Sequence, residues 1–289
     1  MKMKKISIFG GSGFIGQELS KKLENNFNFL NFSKNNSNSK ITIKSDIRDP
    51  ASYDKKISDS DLIINLVGQI NSNLDEFFSS NIVGSLNLLN SAVRNNIKKI
   101  ILISSINVYG EGHSTPSKET DLLLPKSNYG LVKMLNEKLY ENFSRLYDLD
   151  ITILRIAGVY GPTKTKGFFP QLINSLNDSN LILKPYNNGY QERDFIYIDD
   201  VTEAILTTIK NQNSGFNIFN ISSGKKYSIR ELISIVESKT NKKINVNYLQ
   251  EKFDEKCIWA DNTKAKQILN FYPKFSLNQG ITEILKYNN

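Results

Sequence analysis

Three glycines three residues apart, Gly10, Gly13 and Gly16, stand between a short β-rich run, Ile6 to Phe9, and a stretch with helical spacing, Phe14 to Leu23. Within that stretch Ile15, Leu19 and Leu23 recur four apart, as one face of a helix requires. Small residues let the backbone turn tightly from strand to helix. They also let a pyrophosphate approach the helix N-terminus, where N–H groups are unpaired and the dipole is positive. Glycines alone also mark plain turns. Between a strand and a helix they mark a dinucleotide site and commit this part of the chain to a βα unit.

The sequence downstream continues the alternation. It predicts strands from Phe27 to Phe32, Ile41 to Ile43, Leu62 to Val67, Lys99 to Ser104 and Ile151 to Ile156, with a polar tract from Asn35 to Ser39. It predicts helices from about Asn81 to Val93, with Ile82, Leu86, Leu89 and Val93 on one face, and from Asn128 to Tyr147. Strands apolar throughout and separated by amphipathic helices argue for an α/β fold, a doubly wound parallel sheet of Rossmann type covered on both faces. After Gly161-Pro162 the pattern weakens to a helix near Phe169 to Leu176, a short strand from Leu181 to Leu183, and helices near Val201 to Ile209, Ile229 to Ser238 and Gln279 to Leu285. The expected organisation is a dinucleotide-binding domain over 1–160 and a smaller, mainly substrate-binding lobe over 161–289, with segments of the latter returning to the first domain.

Composition removes several function classes. Over 289 residues, 39% hydrophobic content supplies a sizeable core, and 23% charged content is too little for disorder. One cysteine, Cys257, and one histidine, His113, leave no internal disulfide, thiolate cage or paired-histidine metal site, so no metal is expected and a reducing cytoplasm suits the chain. His113, in a polar Gly110-Glu111-Gly112 setting, reads as an ordinary surface residue. The formal charge is +8, but the lysines are scattered among asparagines. A basic stripe with interleaved aromatics, the mark of nucleic-acid binding, is not seen, and a diffuse positive field equally attracts an anionic small substrate. No run approaches the ~18 apolar residues of a membrane span, and the apolar run after basic Met1 to Lys5 is too short for a signal peptide.

The end of the second strand bears on the cofactor. NAD enzymes of this architecture usually carry an acid there for the adenosine ribose, and this chain has Asn31. Ser33 and Lys34 follow, a hydroxyl and a cation suited to a 2′-phosphate, although Lys34 also reads as the start of a solvated loop. The reading favours NADP, with NAD as the alternative. Asp46 and Ile47 offer adenine a hydrogen bond and an apolar contact, and Leu66, Val67 and Gly68 lie at the end of the fourth strand, where open α/β sheets hold ligands.

Tyr129 and Lys133 are four apart on a helix, so phenol and ammonium project from one face. An adjacent cation stabilises a phenolate and brings it toward useful acid/base strength. Ser105, at the end of a buried strand, reaches the same place from the strand's carboxyl end. By itself the pair also fits a surface helix with a snorkelling lysine.

Together these stretches resemble the extended short-chain dehydrogenase/reductase family, in its nucleotide-sugar epimerase, dehydratase and reductase branch. The likeness runs nearly end to end. Phe9 to Gly16, with Phe14 and Ile15, looks like the cofactor turn, Ser104 to Gly110 the serine strand, and Asn128 to Lys133 the tyrosine helix; Leu154-Arg155, Val159 to Pro162 and Arg193 to Val201 are similar to further hallmarks. The resemblance implies that Tyr129 donates and accepts the proton, that Lys133 holds the nicotinamide ribose while tuning Tyr129, and that Ser105 bonds the sugar oxygen. It places Asn81 and Asn107 at the substrate. It makes Arg193 the clasp of the nucleotide's diphosphate, unless Arg193 is paired with Asp194 or Asp199, and sets Phe169 against the base, unless helix packing accounts for it.

Departures narrow the reaction. Dehydratases of the branch carry an Asp-Glu pair where this chain has Ile106 and Asn107, and many epimerases carry an asparagine where it has Gly158. With no acid at Asn31, the expectation is reduction of a 4-keto, or 4-keto-6-deoxy, nucleotide sugar at C4 by exchangeable NADPH, in surface-polysaccharide synthesis. The alternative is an NAD-dependent nucleotide-sugar 4-epimerase of the UDP-glucose or UDP-N-acetylglucosamine type. A non-catalytic NADP-binding scaffold is the third reading. A homodimer joined through helical faces is also implied.

Overall fold

The computed structural model describes residues 5–24, 26–35, 41–68, 74–110, 114–178, 180–211, 214–250 and 257–288. His113 lies outside the described residues. The chain runs β1 (Ile6–Phe9), α1 (Phe14–Leu23), β2 (Phe29–Ser33), β3 (Thr42–Lys44), α2 (Asp54–Ile57), β4 (Leu62–Asn65), α3 (Leu74–Phe78), α4 (Gly84–Arg94), β5 (Lys99–Ser105), α5 (Asn128–Tyr147) and β6 (Asp150–Ile156). It continues β7 (Gly158–Tyr160), α6 (Phe168–Asn174), β8 (Glu192–Tyr197), α7 (Ile198–Asn211), β9 (Phe216–Ile221), β10 (Lys226–Ser228), α8 (Ile229–Thr240), β11 (Cys257–Ile258), α9 (Thr263–Leu269) and α10 (Leu277–Tyr287).

Among the described residues a seven-stranded parallel sheet has the order β3-β2-β1-β4-β5-β6-β9. Its strands are apolar on both faces because both faces are covered. Ile101 and Ile103 of β5 join the core formed with Leu19 and Leu23 of α1 and Val201 and Ile205 of α7. Ile100 and Leu102 of the same strand face Leu88, Leu89 and Ala92 of α4 and Tyr140 and Phe143 of α5. Each such large apolar side chain contributes roughly 1.5–3 kcal/mol on burial. β8 pairs with β7, β10 and β11 in a second sheet. Around it Leu172 of α6, Leu232 of α8 and Ile281 of α10 form a third core.

The expected doubly wound sheet is present, with one strand more than the sequence indicated. That strand, β9, comes from the C-terminal half and pairs with β6. The strand expected from Leu181 to Leu183 is reduced to a single bridge between Leu183 and Val246. The helix expected from Asn81 begins as a π turn at Ser79–Val83, and the α-helix starts at Gly84. Ser85, Leu88, Leu89 and Ala92 are buried, while Leu86, assigned to the buried face by spacing, is exposed.

Candidate active site

The glycine turn forms as its spacing requires. Gly10 adopts φ +84°, its N–H donates to Phe32 O (2.9 Å), and Gly13 takes the N-cap place of α1 with no side-chain cap, leaving the helix's first amides for a ligand. A Cβ on Gly16 would stand 2.6 Å from Gly10 O, so α1 approaches the turn more closely than any side chain permits. Beside the turn opens a cleft of about 370 Å³, lined among others by Ser12, Ser33, Asp46, Ile47, Val67 and Gly68. The uncapped helix end, the narrow glycine cradle and the apolar and polar walls together fit a dinucleotide.

The adenosine end departs from expectation. β2 runs on to Ser33, so Ser33 and not Asn31 ends the strand; its hydroxyl lies 2.5 Å from that of Ser12. Asn31 is buried beneath the turn against Gly11, its amide donating to Ser20 Oγ (3.0 Å), and it does not line the cleft. Lys34 lines the cleft but is ion-paired with Glu76 of α3 (2.7 Å). Asp46 accepts from the Arg48 guanidinium and main-chain amide, bonds that hold its carboxyl below the usual range. Gly84 admits Ile47 beneath α4: a Cβ there would stand 2.5 Å from Ile47 Cγ2. The side chains of Phe14 and Ile15 pack toward the C-terminal core, Phe14 lying at Gly161 and under Lys164, so these two residues offer the cleft their main chain.

At the other end β5 and α5 bring the expected side chains together. Ser127 caps α5 by accepting from Gly130 N (3.1 Å), and this fixes the first turn, where Tyr129 stands. The Tyr129 phenol faces Ser105, the last residue of β5, closely enough for the serine hydroxyl to favour the phenolate. Asn107 donates its main-chain N–H to Ser105 Oγ (3.2 Å). Phe77 of α3 stacks on the Tyr129 ring with centroids 5.8 Å apart. Burial pushes the Tyr129 phenol above its ordinary value, and Ser105 opposes that rise.

Lys133 lies one turn along α5, 3% exposed, donating to the main-chain oxygens of Ile103 (3.1 Å) and Val67 (3.2 Å). Burial depresses its ammonium to about 8, with Glu137 opposing. The expected tuning of Tyr129 by Lys133 is not expressed in this geometry, because two carbonyls hold the ammonium and the phenol's environment is set by burial and Ser105. Asn81 sits in the π turn, 1% exposed, its amide donating to Phe77 O (2.9 Å) and its Oδ1 without a hydrogen-bond partner. That oxygen and Lys133 Nζ converge on Gly68. An unsatisfied buried acceptor costs about 1–3 kcal/mol, and π turns recur at functional positions.

The substrate-side residues are less closely gathered. Arg193 lies half-buried on β8, donating to Glu192 O (3.0 Å). Of its suggested ion-pair partners, Asp194 accepts from Ser223 and Gly224, and Asp199 pairs with Lys22. Phe169 is in the lobe core, stacked on Tyr160 (4.5 Å) and edge-on to Phe195 (5.2 Å), so packing accounts for it and leaves little ring for a base.

One buried cluster had no signal in the sequence beyond Arg155 in its motif. Arg155 grips Glu137 through Nε (3.1 Å) and Nη2 (2.7 Å), Ser104 Oγ donates to the same carboxylate (2.5 Å), and Tyr109 joins Arg155 to Asn220 of β9. This ties α5, β5, β6 and β9 together below the Ser105–Tyr129–Lys133 group.

The model of the NAD dependent epimerase/dehydratase family matches residues 6–222. A putative UDP-glucose 4-epimerase of Methanocaldococcus jannaschii is 32% identical over 98% of this chain and 97% of its own. Among solved structures, the UDP-glucose 4-epimerase of Thermotoga maritima with UDP-glucose is 28% identical, covers 98% of each chain and superposes with a TM-score of 0.88. The UDP-glucuronic acid 4-epimerase of Bacillus cereus with UDP-glucuronic acid and NAD is 27% identical over 98% of each chain, again with a TM-score of 0.88. With the glycine cleft and the Ser105–Tyr129 pair already in place, these likenesses make the chain an enzyme of the NAD-dependent epimerase/dehydratase family, within the extended short-chain dehydrogenase/reductase superfamily.

Proposed function

We propose that this enzyme interconverts the C4 configuration of a UDP-sugar, with NAD held through the cycle. The observation that carries the reading is the pairing of Tyr129 with Ser105 beside Lys133, whose ammonium meets Val67 and Gly68, two residues that line the cleft of the glycine turn. The 4-ketoreductase reading loses its main support because it rested on NADP, and Lys34, the cation invoked for a 2′-phosphate, is matched by Glu76. Dehydration is not favoured, since Ile106 is buried and Asn107 carries no acid. Relatives named as 4-epimerases, of UDP-glucose and of UDP-glucuronic acid, support the epimerase.

In this proposal the amides of the Gly13–Gly16 turn hold the pyrophosphate, Ser33 meets the adenosine ribose, Asp46 and Ile47 the adenine, and Lys133 the nicotinamide ribose. NAD supplies reversible hydride exchange with the sugar's C4. Tyr129 Oη takes the proton of the C4 hydroxyl as the carbonyl forms and returns it when hydride comes back to the opposite face, with Ser105 bonded to the same oxygen. The phenol would be lowered toward the working range by the positive nicotinamide ring of bound NAD, against the burial that raises it. Arg193 is assigned the diphosphate in this proposal.

The enzyme is further proposed to work in the cytoplasm as a homodimer. Among the described residues no helix is long and apolar enough to cross a membrane. Leu74 and Phe78 of α3 and Leu131 and Leu135 of α5 form an exposed apolar groove that a second copy would cover. The deciding experiment is to identify nucleotide bound to the purified protein and to follow UDP-glucose, UDP-N-acetylglucosamine, UDP-glucuronic acid and their C4 epimers by chromatography. Isomer interconversion with no net NAD(P)H consumption is expected. Stoichiometric NADPH loss on a 4-keto sugar, with no isomerisation, makes it a reductase.

A further inference from the structure

β2 ends in Ser33, which has no charge, and Asn31 is turned away beneath the glycine turn, so the strand provides no acid for an adenosine 2′-hydroxyl. The cleft wall beyond Ser33 is nevertheless charged. Among the described residues it presents two cations, Lys34 and Arg48, and two carboxylates, Asp46 and Glu76. Arg48 is held by Asp46 through Nε (2.9 Å) and Nη2 (2.5 Å), and Lys34 by Glu76 (2.7 Å). Each of these cations thus has its own carboxylate, and among the described residues their charges balance.

We infer that Glu76, reaching across from α3, sets the preference for NAD over NADP by placing a carboxylate at the ribose end of the cleft and occupying Lys34. The inference rests on the reading of the cleft as an NAD site and names the residue that imposes it. A 2′-phosphate is a near-dianion that needs an uncommitted cation. Here it would have to break the Lys34–Glu76 pair and then lie beside the released carboxylate. A 2′-hydroxyl has a proton to donate and meets no such repulsion. Glu76 comes from a segment more than forty residues after β2, so the acid is absent from its usual place in sequence and present in space.

The test is cofactor binding, by calorimetry or reduced-cofactor fluorescence, on protein stripped of bound nucleotide. Wild type is expected to bind NAD more tightly than NADP. Glu76→Gln should tighten NADP about tenfold while moving NAD by less than about threefold, the like-charge contact being partly screened by solvent. Adding Lys34→Ala to Glu76→Gln should abolish the gain, because the freed ammonium is what holds the phosphate. Both changes are at exposed side chains, so the fold is retained. If wild type prefers NAD and Glu76→Gln keeps the same ratio, the inference is overturned and the NAD reading stands. If wild type prefers NADP, or binds neither nucleotide, both fall.

Discussion

The ammonium of Lys133 occupies the space that a side chain on Gly68 would need: a Cβ there would stand 2.1 Å from Nζ. Gly68 is therefore a steric condition for the lysine's position, which the carbonyls of Val67 and Ile103 then fix. Gly68→Ala should displace Lys133 while leaving the sheet intact. A misplacement of about 1 Å at a reacting centre costs on the order of a hundredfold in rate. The expected result is a comparable loss in kcat with weakened cofactor binding and an unchanged circular dichroism spectrum. Near-wild-type kcat would mean that Lys133 has another productive position.

Tyr129→Phe removes the only atom that moves a proton and keeps the ring that stacks on Phe77. Turnover should fall by roughly 10²–10⁴ while NAD binding is retained. Ser105 gives the sharper test. Its hydroxyl lowers the Tyr129 value that burial raises, so Ser105→Ala should move the alkaline rise of the kcat/KM profile to higher pH. A profile that stays in place would detach Ser105 from Tyr129.

The elements that position the site were largely legible because their signals are local. Gly10, Gly13 and Gly16 located the turn, and the ranges of α1 and α5 follow apolar spacing residue for residue. Errors arose where distant segments decide the outcome. The end of β2 was placed one residue early, at Phe32, because its limit is set by pairing with β3, up to Ser33 against Lys44. On α4 Leu89 is buried as its spacing implied, but Leu86 is exposed and Ser85, Leu88 and Ala92 share the buried face with Leu89, a choice made by the elements packed against the helix. Phe169 resembled a ligand platform in sequence, but Tyr160 and Phe195 enclose it. Gly68 was placed at the strand end by sequence but its contact with Lys133 was not visible there, and Glu76 and Glu137 were silent because their partners, Lys34 and Arg155, belong to other elements.

Arg155 and Glu137, each 3% exposed at the side chain, form a pair whose removal by halves should be costly. Either Glu137→Gln or Arg155→Met leaves one charge buried without compensation, a loss of about 3–5 kcal/mol. Joint replacement by apolar residues should cost less than the sum of the single changes. Urea unfolding of the two single variants and the double variant measures this coupling; additive losses would show that the pair does not act as a unit.

Asp194 is buried with hydrogen-bond donors and, among the described residues, no ion-pair partner: Ser223 N, Ser223 Oγ and Gly224 N face its carboxylate at 3.0, 2.7 and 3.3 Å. Burial raises its carboxyl from 3.8 to about 6. The folded state therefore binds the proton more tightly than the unfolded chain does. The associated stability is fully present below about pH 4 and is lost as pH rises through 6, at about 1.4 kcal/mol for each unit between the two values. Asp46, Asp54, Asp59 and Asp261 are shifted the opposite way and gain stability over the acid range, so the whole-protein curve mixes both signs. Asp194→Asn isolates the term. The melting temperature of wild type minus that of the variant should decrease from pH 4 to pH 7, and a constant difference would show that Asp194 keeps an ordinary carboxyl.

The helix that carries Tyr129 and Lys133 inward carries Leu131 and Leu135 outward, beside Leu74 and Phe78 of α3. Lys133 is held from within by two carbonyls, while Tyr129 stacks on Phe77 of α3, so both catalytic side chains stand on α5 and one of them also leans on α3, the two helices that bear the apolar groove. A second copy covering that groove would fix α3 and α5 relative to each other, and with them the Tyr129 ring. Leu131→Glu together with Leu135→Glu places two charges in the groove and should yield monomers by light scattering. Turnover should fall more than NAD affinity, because the glycine turn, Ser33, Asp46 and Ile47 lie on other elements. A wild type that remains monomeric at high concentration, or a charged variant that is dimeric and fully active, would remove the dimer from the account and leave α5 positioned by its own buried face.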